Sequence, residues 1–108
     1  FDVRFIPNPY YIDSMKRLTG KNEAVRNYVS KFNETNEFLA KLTDMLEFLI
    51  PYYVKEGKAQ LVIGIGCTGG RHRSVVIADS LYGILREAQH RVIIDHRDID
   101  KDGRGAVK

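Results

Sequence analysis

Gln60-Leu61-Val62-Ile63-Gly64-Ile65-Gly66-Cys67-Thr68-Gly69-Gly70-Arg71-His72-Arg73-Ser74 is the stretch on which the fold of this chain turns. Residues 60–66 are a short apolar run without polar alternation, the pattern of a central strand covered on both faces. The run empties into a turn with glycines at 66, 69 and 70. Beyond it Ile77, Leu81, Ile84, Leu85 and Ala88 recur at helical spacing, which predicts a helix from Ser74 to Ala88.

The flanking sequence supplies the other elements. Asp2-Val3-Arg4-Phe5-Ile6 alternates polar and apolar residues, as a half-buried strand does, and Pro7-Asn8-Pro9 ends it. Arg91-Val92-Ile93-Ile94-Asp95 reads as a further strand. Residues 10–22 form a loop or short turns punctuated by Gly20. Asn22 is placed to cap a helix carrying Val25, Tyr28, Val29 and Phe32 on one side. A second helix spans about 34–50, with Phe38, Leu42, Met45, Leu46 and Leu49 as its core stripe. Pro51 kinks it or restarts it for one more turn, and Gly57 stops it. Strands separated by helices imply an α/β class, a small and mainly parallel sheet with flanking helices. Residues 1–108 are expected to form a single domain, with a charged, glycine-containing tail that frays from Asp98 onward.

Composition narrows the function. The chain has 108 residues, 44% of them hydrophobic, enough for one small core. Its net charge of +3 permits contact with nucleic acid without demanding it. One cysteine excludes an intrachain disulfide and suits a reducing compartment. No apolar run approaches the ~20 residues that span a bilayer, so no membrane association and a cytoplasmic location are expected. A first residue of Phe suggests a domain of a longer protein.

The chemistry gathers at residues 66–74. The first amides of a helix lack internal partners, and the helix dipole adds positive potential there, so a strand–turn–helix step is an anion site. Glycines 66, 69 and 70 let backbone approach a ligand closely. Thr68 and Ser74 offer hydroxyls, Arg73 can grip a phosphate, Arg71 adds charge, and His72 can donate or titrate. In a parallel sheet, ligands bind outside the carboxyl ends of strands. Asn8, Tyr10, the 67–74 turn, His96 and Arg97 are therefore expected to converge on one cleft. His90-Arg91 falls at the opposite end.

Cys67 admits a second reading. Cys67 to Arg73 followed by Ser74 fits Cys-x5-Arg-Ser, the phosphate loop of cysteine-dependent phosphatases. Those enzymes usually carry histidine before the cysteine, where Gly66 stands here, and they need a proton donor for the leaving group. Asp95 and Asp98 are the nearby candidates. The favoured expectation is a binding domain, not an enzyme, with Cys67 as a small, partly buried apolar residue. No paired ligand spacing supports a metal site, and none is expected.

The residues also match a family. Asp2-Val3-Arg4-Phe5-Ile6-Pro7-Asn8-Pro9-Tyr10-Tyr11, Leu18-Thr19-Gly20, Ile65-Gly66-Cys67-Thr68-Gly69-Gly70, His72-Arg73-Ser74-Val75 and His96-Arg97-Asp98 resemble the C-terminal domain of the RNase adapter protein RapZ family. The resemblance implies a preceding P-loop domain that uses ATP or GTP, absent here, and no cofactor in this domain. It implies binding of glucosamine-6-phosphate and of small regulatory RNA, presentation of RNA to RNase E, a role in amino-sugar metabolism, and a homo-oligomer. Carried across, Thr68, Gly69, Gly70, His72 and Arg73 match the ligand loop, and Arg71 stands at a basic position tied to RNA. Arg97 and Lys101 are the further RNA candidates. Two departures stand out. Tyr10 replaces a histidine of enterobacterial members. The tail Asp98-Ile99-Asp100-Lys101-Asp102-Gly103-Arg104 is nearly balanced in charge where theirs is strongly basic, and interspersed aspartates oppose phosphate binding.

Overall fold

A computed structural model describes residues 1–101. Its described elements are a short 3-10 turn (Pro9–Tyr11) and three helices: α1 (Glu23–Ser30), α2 (Asn33–Lys55) and α3 (Arg73–Glu87). The fraying expected from Asp98 onward is corrected for residues 98–101, which form a hydrogen-bonded turn held by Arg71, and for residues 102–108 it lies outside the described part.

Local chemistry explains the helix ends. The side chain of Asn22 accepts from Ala24 N at 2.9 Å, which caps α1. A tight corner then joins α1 to α2, and Thr35 pins it. Its buried hydroxyl donates to Val29 O at 2.8 Å. Asn36 adds bonds to Ser30 O and Phe32 O. α2 runs straight through Pro51 for one more turn and stops at Gly57, which has φ of +85°.

The helices bury two adjoining clusters. Val3, Ile6, Val25, Val29, Val76 and Ile77 form one, between the N-terminal segment, α1 and α3. Leu42, Leu46, Leu81 and Leu85 form the other, between α2 and α3. Phe38, Leu39 and Ile65 border both. Each fully buried Val or Leu contributes about 1.5–3 kcal/mol of transfer free energy, so α3, which supplies four of these residues and enters both clusters, is the centre of the fold.

The α/β class with a parallel sheet is corrected by this structure. Among the described residues there is no strand, only one isolated parallel bridge, Asp2 to Gly66. Val3 N donates to Gly66 O at 2.8 Å and Gly66 N to Phe1 O at 2.7 Å. The segment expected as strand 2–6 turns back at once, with Ile6 N on Val3 O. Residues 60–66 lie on the helices by one side alone. Ile63 and Ile65 are half-buried, whereas Val62 is 80% exposed. Residues 91–95 behave alike, with Val92 and Ile94 turned in and Ile93 93% exposed. An apolar run marks a central strand only if neighbours pair with its backbone on both sides and a second layer covers it, and here pairing is confined to residues 64–66 against the first three residues.

Smaller corrections follow from helix rotation. Met45 is 52% exposed, and Leu39 takes the inward position expected of it. Ile84 and Ala88 sit at the outer border of the α3 stripe.

Candidate anion-binding site

The turn before α3 is shaped by paired glycines. Gly69 and Gly70 have φ of +80° and +70°, the left-handed region that side chains disfavour. The amides of Thr68, Gly69, Gly70 and Arg71 make no hydrogen bond within the protein among the described residues. Thr68 and Gly69 are exposed and Gly70 and Arg71 half-buried, so four successive backbone donors stand at the mouth of a helix.

Cys67 closes the turn. The amide of Ser74, in the first turn of α3, donates to the Cys67 sulfur at 3.3 Å, and Ser74 Oγ lies at the same distance. The sulfur thus occupies the place of a helix cap, which His72 at the N-cap position does not fill with its side chain. Cys67 also packs against the first core cluster.

Arg73 is 4% exposed and has no carboxylate within ion-pair distance among the described residues. Its Nη1 donates to Arg4 O at 2.9 Å and Ile6 O at 2.8 Å, and its Nε is buried without a partner. The guanidinium ties the N-terminal segment to α3, and its charge is felt by the Asp2 carboxylate, whose pKa it helps to lower. His72 is equally enclosed, at 5% exposed, with Nε2 unpartnered. Burial pushes its pKa below the ordinary histidine value, against the opposing pull of carbonyls at Leu18, Met15 and Lys16.

Two charged groups flank the turn. On one side a shallow depression is lined by Phe1, Asp2, Arg4, Gly66, Cys67 and Thr68. There Asp2 pairs with Arg4 at 2.7 Å, and Arg4 holds its carboxyl down to about 2. On the other side Asp98 abuts Gly70, where an added Cβ would lie 2.9 Å from the Asp98 Cβ. Arg97 and Lys101 both pair with Asp98 and lower its pKa, the Arg97 hydrogen bond contributing most. Arg71 Nε donates to Ile99 O at 3.1 Å, which fixes the 96–99 turn beside the glycines.

The cleft expected from the sequence is therefore assembled in part. Cys67, Thr68, Gly69, Gly70, Arg71, His72, Arg73 and Ser74 form one continuous turn, and Asp98 and Ile99 adjoin it. The polar groups of Asn8, Tyr10 and His96 are engaged elsewhere. Asn8 caps the 3-10 turn by accepting from Tyr10 N. The Tyr10 ring meets Tyr11 and Lys16. His96 Nε2 lies 2.8 Å from Asp79 Oδ1, and Lys21 holds the same carboxylate. Sequence reasoning read Gly20 as loop punctuation and as part of the Leu18-Thr19-Gly20 step but missed its contact with the turn, where its amide donates to Arg71 O at 2.8 Å and its lack of a side chain lets the 18–20 step lie against His72. It also missed Asp79, which carries no motif. One placement works against phosphate chemistry at Cys67, because the bonds of Arg73 go to the carbonyls of Arg4 and Ile6. No three His, Cys, Asp or Glu side chains converge as a metal cluster among the described residues, and no described helix is long and apolar enough to cross a membrane.

Fold and turn together define a small helical module that presents open backbone amides above a buried cation. The chain belongs to the RapZ C-terminal domain family, whose description matches residues 1–100. It is similar to proteins named nucleotide-binding protein. In Acetivibrio thermocellus the identity is 70% over 104 residues, covering 96% of this chain and 36% of the relative. In Ruminiclostridium cellulolyticum it is 64% over 108 residues, covering 100% and 37%. A relative from Caldanaerobacter subterraneus is 60% identical over 102 residues, covering 94% and 36%. The chain thus spans a little over a third of the length of these relatives.

Proposed function

We propose that this domain is the ligand-sensing, non-enzymatic part of a cytoplasmic, oligomeric RNase adapter. It binds an amino-sugar phosphate such as glucosamine-6-phosphate at the 67–74 turn. It also contacts small RNA destined for an RNase partner such as RNase E, while ATP or GTP belongs to another domain of the longer protein. The observation that carries the reading is the run of four open amides, Thr68 to Arg71, above the buried Arg73 charge. Such a run cradles an anion, because each donor is already oriented and pays no ordering cost on binding. Family membership supports the adapter role.

The experiment is calorimetry and thermal melting of the full-length protein with glucosamine-6-phosphate, glucosamine and inorganic phosphate. At a ligand concentration of about tenfold Kd, the native state gains about 1.4 kcal/mol by mass action. Gly69→Ala and Gly70→Ala should weaken sugar-phosphate binding, because both positions need positive φ. Cys67→Ser should leave affinity nearly intact, with no phenyl phosphate turnover in the parent protein. Absence of any heat or stabilisation at about 10 mM sugar phosphate, above the ~1 mM Kd of weak binding, refutes the metabolite role.

A further inference from the structure

We propose that the surface carrying Tyr11, Lys16, Arg17 and Lys31 is the docking surface for single-stranded RNA. The inference rests on the RNA part of the reading above and gives it a place.

The cations named from the sequence are largely committed elsewhere. Arg97 and Lys101 both pair with Asp98, and Arg71 Nε is bonded to Ile99 O. The densest group of cations without an ion-pair partner among the described residues lies between residues 10 and 31, with Lys55, Lys58, Arg86 and Arg91 spread elsewhere. There Lys16, Arg17, Lys21, Arg26 and Lys31 face only Asp13 and Glu23, an excess equal to the +3 of the whole chain. Lys21 pairs with Asp79. Lys16, Arg17, Arg26 and Lys31 have no ion-pair partner among the described residues.

Aromatic rings interleave with these cations. Tyr11 is 81% exposed, and its ring stands edge-on to Tyr10 at 5.5 Å. Lys16 Nζ lies 4.8 Å from the centre of the Tyr10 ring. Lys31 Nζ lies 4.9 Å from that of Tyr28 and 5.3 Å from that of Phe32. The two groups belong to neighbouring elements, because the 3-10 turn packs on α1, and Met15, Leu18, Tyr28 and Phe32 cover the same core cluster. Single-stranded nucleic acid offers a phosphate and a flat face at each residue, which suits cations set around the exposed Tyr11 ring and the half-buried rings of Tyr10, Tyr28 and Phe32. An acidic peptide offers the charge without the faces. The surface also borders the anion site, since the 15–18 carbonyls lie against His72 and Gly20 bonds to Arg71.

The test is fluorescence anisotropy of the full-length protein with a labelled uridine RNA of about 12 nucleotides, within the usual site size, across a salt series. Lys16→Gln with Lys31→Gln should lower the slope of log K against log salt by about 1.4, because each phosphate contact on a single strand contributes about 0.7. Tyr11→Ala should weaken binding about tenfold and Tyr11→Phe should restore it, since stacking needs the ring and not the hydroxyl. Lys101→Gln should change nothing. Melting curves serve as the folding control. If the unsubstituted protein fails to bind RNA at low salt, the RNA reading itself falls. If it binds and the lysine and Tyr11 variants match it, the RNA reading stands and this surface is wrong. Equal competition by polyglutamate of matched charge also overturns the surface, because charge alone then accounts for binding.

Discussion

Gly20→Ala tests whether the 18–20 step is packed onto the start of α3. A Cβ built at Gly20 lies 2.8 Å from His72 O and 2.8 Å from both Cβ and Cγ1 of Val75. Ordinary contacts of this kind fall at about 3.5–4.0 Å, so either the step or α3 must shift by more than half an ångström. Val75 is fully buried and the His72 carbonyl accepts from Val76 N at 3.1 Å, so neither neighbour moves freely. Overpacking of this kind costs about 1–3 kcal/mol. For a domain of this size each kcal/mol lowers Tm by roughly 4–8 °C. Gly83→Ala is the control. It lies within α3 with nothing within 4 Å of its added Cβ, and alanine is favoured over glycine in a helix by about 0.5–1 kcal/mol. Urea unfolding of both variants should therefore move in opposite directions. A Gly20→Ala protein within about 0.3 kcal/mol of the parent, a shift no larger than ordinary surface substitutions cause, would refute the packing argument.

Arg73→Met removes the two bonds to Arg4 O and Ile6 O. Hydrogen bonds from a charged donor contribute about 1.5–3 kcal/mol, and the apolar replacement returns part of this, so a net loss of about 2 kcal/mol should appear in denaturant titration. An unchanged midpoint means the guanidinium does not hold the N-terminal segment. His72, held neutral by burial, gives an acid-side instability. Its pKa is lower folded than unfolded, so stability is unaffected above the unfolded value near 6.5 and falls below it, where the unfolded chain takes up a proton first. The slope is up to about 1.4 kcal/mol per pH unit until the folded pKa is reached. His72→Asn should show less loss than the parent between about pH 6.5 and pH 5, and equal losses would exclude His72 as the source.

The helices were legible in the sequence because their signals are local. Asn22, the 3.6-residue spacing of Val25 and Val29, and Gly57 each act within a turn or two of chain, and each does what its chemistry says, while Pro51 is carried inside the continuous α2 helix. The shape of the 66–74 turn was legible for the same reason, since its glycines and the start of the helix lie within nine consecutive residues. The sheet was misread because a strand is defined by a partner that no single segment names. Residues 60–66 and 91–95 have the apolar content of strands, yet only the exposure of Val62 and Ile93 shows that one side of each is open. The committed cations were illegible too. Nothing in Arg97 or Lys101 announces that both turn onto Asp98, and nothing in Asp79 announces Lys21 and His96.

The bonds from Arg73 to Arg4 and Ile6 join residues 69 and 67 positions apart, and the bridge from Asp2 to Gly66 closes a loop of similar length. Single helices and the α1–α2 corner need only short loops, but α1 meets α3 in the first cluster across 52 residues, from Val25 to Ile77. Closing a long loop is entropically dearer and is rewarded only once its ends are held. The N-terminal segment, like α1 on α3, is therefore expected to dock after the local helices form. A contact made after the rate-limiting barrier governs how fast the protein comes apart. Loss of the Arg73 bonds should quicken unfolding while the folding rate stays nearly constant, and the turn before α3 should be among the first parts released.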